Sequence, residues 1–311
     1  MNTFHGPYNV RSGHTNLNDT VKEDALMNKS FALLATLVFT SSLSAQQTDS
    51  QRLAQILQAQ PAETQARYAY RHPQETLEFF GIVPEMNVVE ALPDEGWYTK
   101  ILLPYVGPDG ALIGADYAPD MYAKFAWASP EFLEAKKTWV ATWTTEATTW
   151  RTDDSAAVSA FVFGSLPDAV KGTADAVLFI RALHNLQRFE SQGGYLTAAL
   201  QNAFDALKPG GIVGVVQHQA PEGSSAEFVD GSHGYLKKSQ VIEFMQVVGF
   251  EFVAESAINE NPKDQPGPDD IVWRLPPSLG TSKDNPELAA QMKAIGESNR
   301  MTLKFRKPGG M

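Results

Sequence analysis

The stretch that most constrains this chain runs from Val88 to Asp116. The apolar run Val88-Val89-Glu90-Ala91 ends in Leu92-Pro93-Asp94-Glu95-Gly96, and an amphipathic segment follows from Trp97 to Leu103. After Gly107-Pro108-Asp109-Gly110 comes a second β-rich run, Ala111-Leu112-Ile113-Gly114-Ala115, which ends at Asp116. Alternation of this kind predicts strand, loop, helix, strand. Sheets built from such units hold ligands at the carboxyl ends of their strands, where a helix N-terminus offers free N–H groups and partial positive charge. Glu90, Gly96 and Asp116 fall where a nucleoside-containing cofactor would sit. Asp94, beside the start of the helix, is expected to cap its free N–H groups.

The pattern Glu90-x-x-Pro93-x-x-Gly96-Trp97-Tyr98-Thr99 resembles the first motif of a family of exported, predicted S-adenosylmethionine-dependent methyltransferases. Further matches are His72-Pro73-x-Glu75-Thr76-Leu77-x-Phe79-Phe80-Gly81, Asp175-Ala176-Val177-Leu178 with Arg181 and His184-Asn185, and Leu207-Lys208-Pro209-Gly210-Gly211. Asn261-Pro262-Lys263-Asp264, Val272-Trp273-x-Leu275-Pro276-Pro277 and Gly296-Glu297-Ser298-x-Arg300-Met301 extend the resemblance to most of residues 70–308. It implies an α/β, class I methyltransferase-like (Rossmann-like) fold: a seven-stranded, mostly parallel sheet with helices on both faces. The last strand is expected to enter antiparallel between the fifth and sixth. It also implies S-adenosyl-L-methionine as cofactor, bound by Glu90, Pro93, Gly96, Trp97, Tyr98, Asp116 and Arg181. Asp116 would accept both ribose hydroxyls, Glu90 and the N–H groups around Gly96 would hold the methionine end, and the turn Gly164-Ser165-Leu166-Pro167 would touch the adenine. One departure stands out, because Leu92, Asp94 and Glu95 occupy loop positions where the wider pattern has small residues.

Composition sets the outer limits. With 311 residues, 43% of them hydrophobic, the chain can bury a full core. Its net charge of −11 argues against phosphate-backbone partners or anionic membrane surfaces. There are no cysteines, so disulfides, thiolate catalysis and cysteine-ligated zinc are excluded.

At the N-terminus, Met27-Asn28-Lys29-Ser30 precedes an apolar run from Phe31 to Phe39, and Ser42-Leu43-Ser44 supplies the small residues a signal peptidase reads. Residues 27–44 therefore read as a secretory signal with the mature chain beginning near Ala45. Residues 1–26 read as a non-native or disordered extension. The run is too short to span a bilayer, and the expected location is periplasmic or secreted, free of the membrane after cleavage.

From residue 45 the chain reads as one domain with three additions to the sheet. A helical arm occupies residues 50–80 and an aromatic-rich insertion residues 117–155. A long Pro-, Asp- and Asn-rich loop at residues 259–299 exceeds an ordinary connection and suggests a functional cover. Arg71 and His72 in the arm are placed to approach a ligand. The fifth strand is expected at Ile212–Gln217, after a tight Pro-Gly-Gly turn.

The catalytic candidates are His184, Asn185 and His218, each just past the end of a buried parallel strand. A histidine titrating near neutrality can take a proton from a methyl-accepting nucleophile. Asn185 can position substrate or cap the following helix. His184, His218 and His233 lack metal-ligand spacing, and no metal is expected. These readings lead to methyl transfer onto a small-molecule acceptor, with no nucleic-acid partner. A non-catalytic binding or scaffolding protein on the same fold is the alternative. A nicotinamide-dependent oxidoreductase is disfavoured by the missing Gly-x-Gly-x-x-Gly.

Overall fold

In the computed structural model, which describes residues 47–310 together with Met1, Thr3 and Gly6, the apolar runs form seven strands. They are β1 (Asn87–Ala91), β2 (Ala111–Asp116), β3 (Ala157–Val162), β4 (Ala174–Ile180), β5 (Leu207–His218), β6 (Glu251–Ser256) and β7 (Arg300–Arg306). The signal segment and, apart from Met1, Thr3 and Gly6, the extension before it lie outside the described residues. From Ser50 onward the chain is one compact unit.

The strands form one sheet in the order β3-β2-β1-β4-β5-β7-β6. Every pairing from β3 through β5 is parallel, and β7 enters antiparallel between β5 and β6. This is the class I methyltransferase-like fold. Its strand order reverses between β1 and β4, so the crevice at their carboxyl ends is the topological switch point.

Both faces of the parallel strands are covered, which explains why they read as nearly unbroken apolar runs. Val89, Ile113, Val177, Phe179 and Val215 pack toward the helices Leu183–Arg188, Tyr195–Ala206 and Lys238–Val248. Val88, Leu112, Ala176 and Leu178 pack toward helix Thr99–Val106 and the arm, whose helices are residues 47–58, Ala62–Gln65, Tyr68–Arg71 and Pro73–Phe80. The insertion carries helices Pro119–Tyr122, Pro130–Lys137 and Trp139–Thr149. Trp143 from the last of these fills a notch that exists because residue 114 is glycine: a Cβ there would lie 2.6 Å from the indole.

Several boundaries differ from the sequence reading. Strand β5 begins at Leu207, so Lys208-Pro209-Gly210-Gly211 is part of the strand's irregular start and not a separate turn. Gly210 N–H is held by Lys307 O, and Lys307 N–H by Gly211 O, pairings that only the tertiary structure supplies. The loop at 259–299 is not a plain excursion. It contains a 3-10 turn at Val272–Arg274 and a helix at Pro286–Ile295, capped by Asn285 Oδ1 on Leu288 N–H. A buried ion pair between Asp264 and Arg274 fastens it.

Candidate functional site

Two cavities open at the switch point and share a rim of Leu92, Asp94, Ile180 and Arg181. The first, about 530 Å³, lies between the loop after β1 and the helical arm. The second, about 290 Å³, lies between β2, β4, β5 and the aromatic insertion. Their shared rim comes from the loops after β1 and β4, the two strands between which the order reverses.

The loop after β1 solves an unusual problem. Leu92 and Asp94 adopt positive φ of 52° and 49°, and Gly96 follows at 79°. Left-handed backbone costs a non-glycine L-residue roughly 1–2 kcal/mol. The conformation that small residues would supply freely is thus retained here at a cost. Asp94 does not cap the helix, which starts only at Thr99, with Tyr98 as its N-cap residue and no side chain bonded to its first turn. Asp94 and Glu95 are instead exposed at the cavity edge. Gly96 turns its N–H to Pro93 O and does not line the first cavity; it packs on the Trp150 ring, which a Cβ at this position would approach to 2.5 Å.

Glu90, Pro93, Trp97 and Tyr98 of that motif do line the first cavity, and Thr99 is buried behind them. Glu90 is buried and accepts from Thr99 Oγ1 at 2.7 Å, and burial lifts its carboxyl to about 7. Burial likewise pushes the Tyr98 phenol up to about 12. Trp97 lies against the Arg71 guanidinium at 4.5 Å, with its indole Nε1 buried and unpartnered among the described residues. Arg71 and Arg67 reach the cavity from the arm, whereas His72 lines neither cavity.

Behind this wall stands a network invisible in any local stretch of sequence. The Glu297 carboxylate meets Arg67 at 2.6 Å and Arg71 at 3.3 Å, and also bonds Arg300. Burial alone would raise the Glu297 carboxyl, but Arg300, Arg71 and Arg67 outweigh it and hold it down at about 2. Burial, and then the nearby charge of Arg181, lower the proton affinity of Arg71. One carboxylate thus serves three guanidinium groups, with Arg181 close by as a fourth. The surplus is positive and faces the first cavity. Glu297 and Arg300 belong to a matching C-terminal segment, which was the available signal for them; Arg67 had none.

The second cavity is where Asp116, His184, Asn185 and His218 meet. Asp116 Oδ1 accepts from Tyr117 N–H at 2.8 Å and Tyr122 O–H at 2.6 Å, and Oδ2 from Lys136 Nζ at 2.7 Å. Oδ1 is therefore saturated and Oδ2 keeps one lone pair. The carboxylate has room for one ribose hydroxyl, not two, while Lys136 stays. Asn185 lies inside helix Leu183–Arg188, whose N-cap residue is Ala182, so it does not cap. Its Oδ1 is a buried acceptor without a donor among the described residues.

His184 Nδ1 lies 3.4 Å from Gln217 Nε2, and His218 Nδ1 lies 2.6 Å from Ser298 Oγ. Burial drives the His184 imidazole down to about 4 and takes His218 well below its ordinary value, so both are neutral at pH 7. The rings sit 5.5 Å apart, with Trp273 5.7 Å from His184. The aromatic insertion divides its labour: Tyr117, Tyr122, Phe125, Trp127 and Trp139 line the cavity, whereas Trp143 and Trp150 pack on glycines. The turn at 164–167 lines neither cavity.

No protein-family model and no curated protein sequence matches the chain. Among solved structures it is similar to a SAM-dependent methyltransferase from Aquifex aeolicus, at 12% identity, covering 82% of this chain and 98% of that one with a TM-score of 0.44. It is also similar to the [4+2]-cyclase SpnF, at 15% identity, 78% and 82% coverage and a TM-score of 0.45. A third is a possible exported protein from Bordetella parapertussis, at 15% identity, 78% and 68% coverage and a TM-score of 0.39. The fold assignment rests on strand order and direction. No helix among the described residues is long and apolar enough to cross a membrane.

Proposed function

We propose that this protein transfers a methyl group from S-adenosyl-L-methionine to a small molecule, the cofactor reaching from the first cavity across the shared rim to Asp116 and the acceptor taking the rest of the second cavity. The observation that carries the reading is the pair of cavities sharing Leu92, Asp94, Ile180 and Arg181 at the carboxyl ends of β1 and β4. The donor set of the first cavity suits a zwitterionic amino-acid end. Surplus arginine charge and the orphaned Trp97 N–H await a carboxylate, and Glu90, Asp94 and Glu95 await an ammonium group. Asp116, with one free lone pair, suits a ribose hydroxyl, and the orphaned Asn185 Oδ1 awaits a donor. When bound, the cofactor supplies a sulfonium methyl that is already electrophilic. The chain's own residues then hold the acceptor, keep water out with the aromatic walls and align the attacking atom. Periplasmic or secreted action fits the N-terminal sequence pattern, and mass spectrometry of exported protein, finding a start near Ala45 or an intact terminus, decides that part.

The second reading, a binding protein that keeps the fold, draws support from Lys136, which holds part of the Asp116 carboxylate, and from the non-glycine loop residues Leu92 and Asp94. Titration calorimetry with S-adenosylmethionine and its demethylated product separates the two. Binding by the parent protein, weakened by about 1.5–3 kcal/mol in Asp116→Ala, is expected for a working site. No binding by the parent would support the second reading.

A further inference from the structure

The histidine pair of the second cavity has a chemistry that its position alone does not reveal. Gln217 Nε2 donates to Gly234 O at 3.0 Å, and since a carbonyl can only accept, this fixes which end of the amide is nitrogen. The same nitrogen faces His184 Nδ1 at 3.4 Å, so Nδ1 is the acceptor and the ring proton sits on Nε2. In the second ring, Ser298 Oγ accepts from Arg300 Nε at 3.2 Å and lies 2.6 Å from His218 Nδ1. Its hydroxyl hydrogen has Nδ1 as its acceptor among the described residues, and His218 also keeps its proton on Nε2. The two rings are only 5% and 8% exposed, both line the cavity, and neither Nε2 has a protein partner among the described residues. Arg181 lines the same cavity without a side-chain hydrogen bond to protein among the described residues, and is close enough for its charge to act on both rings.

We infer that His184, His218 and Arg181 form a wall of donors, and that the small molecule taken by the second cavity presents a carboxylate to it. This deepens the methyltransferase reading and rests on it for the molecule's role as acceptor. The wall binds; it does not deprotonate. A neutral imidazole protonated at Nε2, with Nδ1 engaged by the protein, has no lone pair to offer toward the cavity. Of the other charged groups lining the cavity, Lys136 and Asp116 are paired with each other and Asp94 lies exposed on the rim. Aromatic side chains from Tyr117 to Trp273 complete the walls, so a planar, apolar body behind the carboxylate fits.

The test uses the full chain labelled with nitrogen-15 at its six histidines. Two-bond proton–nitrogen correlation at pH 7, with signals assigned by their loss in His184→Asn and His218→Asn, is expected to find both rings neutral with the proton on Nε2. A proton on Nδ1 of either ring overturns the inference. Sodium benzoate is the binding probe: it is expected to move both Nε2–H signals, while benzamide at the same concentration leaves them in place. Arg181→Met should weaken benzoate binding about tenfold or more, as losing a hydrogen bond to a charged partner does. Absence of benzoate binding, binding indifferent to Arg181, or a response to inorganic phosphate but not to benzoate would each overturn it. None of these measurements contains S-adenosylmethionine, so a protein that fails to bind the cofactor would refute the methyltransferase reading while leaving this result to stand or fall separately.

Discussion

Two buried ion networks centre on carboxylates from the same C-terminal third of the chain, Asp264 and Glu297, and they are built on opposite principles. Around Asp264 the charges and hydrogen bonds close: its oxygens accept from Arg274 at 2.8 Å, from Tyr235 and from Asn299 N–H, while Arg274 also meets Asp270 at 3.3 Å. Around Glu297 they do not close, because three arginines converge on one carboxylate and a fourth stands nearby. A closed network costs little to hold and fastens a loop. An open one leaves positive charge that only a ligand or solvent can answer, and it borders the first cavity. The difference separates fastening from recognition among residues of identical type.

Glu297→Gln tests this most severely. It leaves buried guanidinium groups uncompensated and should destabilise the fold by about 3–5 kcal/mol in urea unfolding. A loss below about 1 kcal/mol would mean that the arginines are solvated and the network is not the buried cluster described. Asp264→Asn should cost less, about 1.5–3 kcal/mol, since the amide still accepts a hydrogen bond and Arg274 keeps Asp270. The reverse ranking would break the contrast between the two networks.

Glu90 sharpens it, being a buried carboxylate with no cation bonded to it among the described residues. Its folded-state value of about 7 lies above the ordinary 4.5, so the native state holds its proton more tightly than the unfolded chain does. The stability this confers is present below about 4.5 and is lost as pH rises through about 7. Glu90→Gln should therefore stabilise the protein by roughly 2 kcal/mol at pH 8 and change little at pH 4, measured as a pH series of unfolding curves. A uniform effect across pH would remove the charge explanation. His184 has the opposite sign: its value is pushed down from 6.5 to about 4, so stability falls as pH drops through that window.

The smallest expected effect belongs to the loop. Asp94→Gly relieves a left-handed residue and should gain about 0.5–1 kcal/mol after the entropic cost of glycine, read by thermal unfolding. A loss would show that the Asp94 side chain contributes more than its backbone costs.

How much of this was legible in the sequence follows the range of the interactions. The strands and the acids ending β1 and β2 were readable because a buried parallel strand is apolar over its whole length, and Glu90 and Asp116 interrupt that pattern at its end. His184 and His218 were readable as candidates because both fall near the carboxyl ends of parallel strands, but the meeting of the two rings is shown only by the structure. By contrast, Arg67 and Glu297 are separated by 230 positions, and no periodicity announces such a meeting. The proposed capping by Asp94 failed because the chain takes four more residues of turn before becoming helical at Thr99. Lys136 was overlooked because a lysine on an exposed helix ordinarily faces water, and only the position of the insertion brings it to Asp116.

The notch at Gly114 ties the insertion to the history of the sheet. Any side chain at that position would meet the Trp143 ring at a separation no real Cβ tolerates, and any smaller residue at 143 would open a void against β2. The two positions can therefore change only together. An attempt to pare the protein down by excising residues 117–155 would expose a slot against β2, one strand in from the edge of the sheet, so the aromatic segment is a graft that can no longer be removed from its stock.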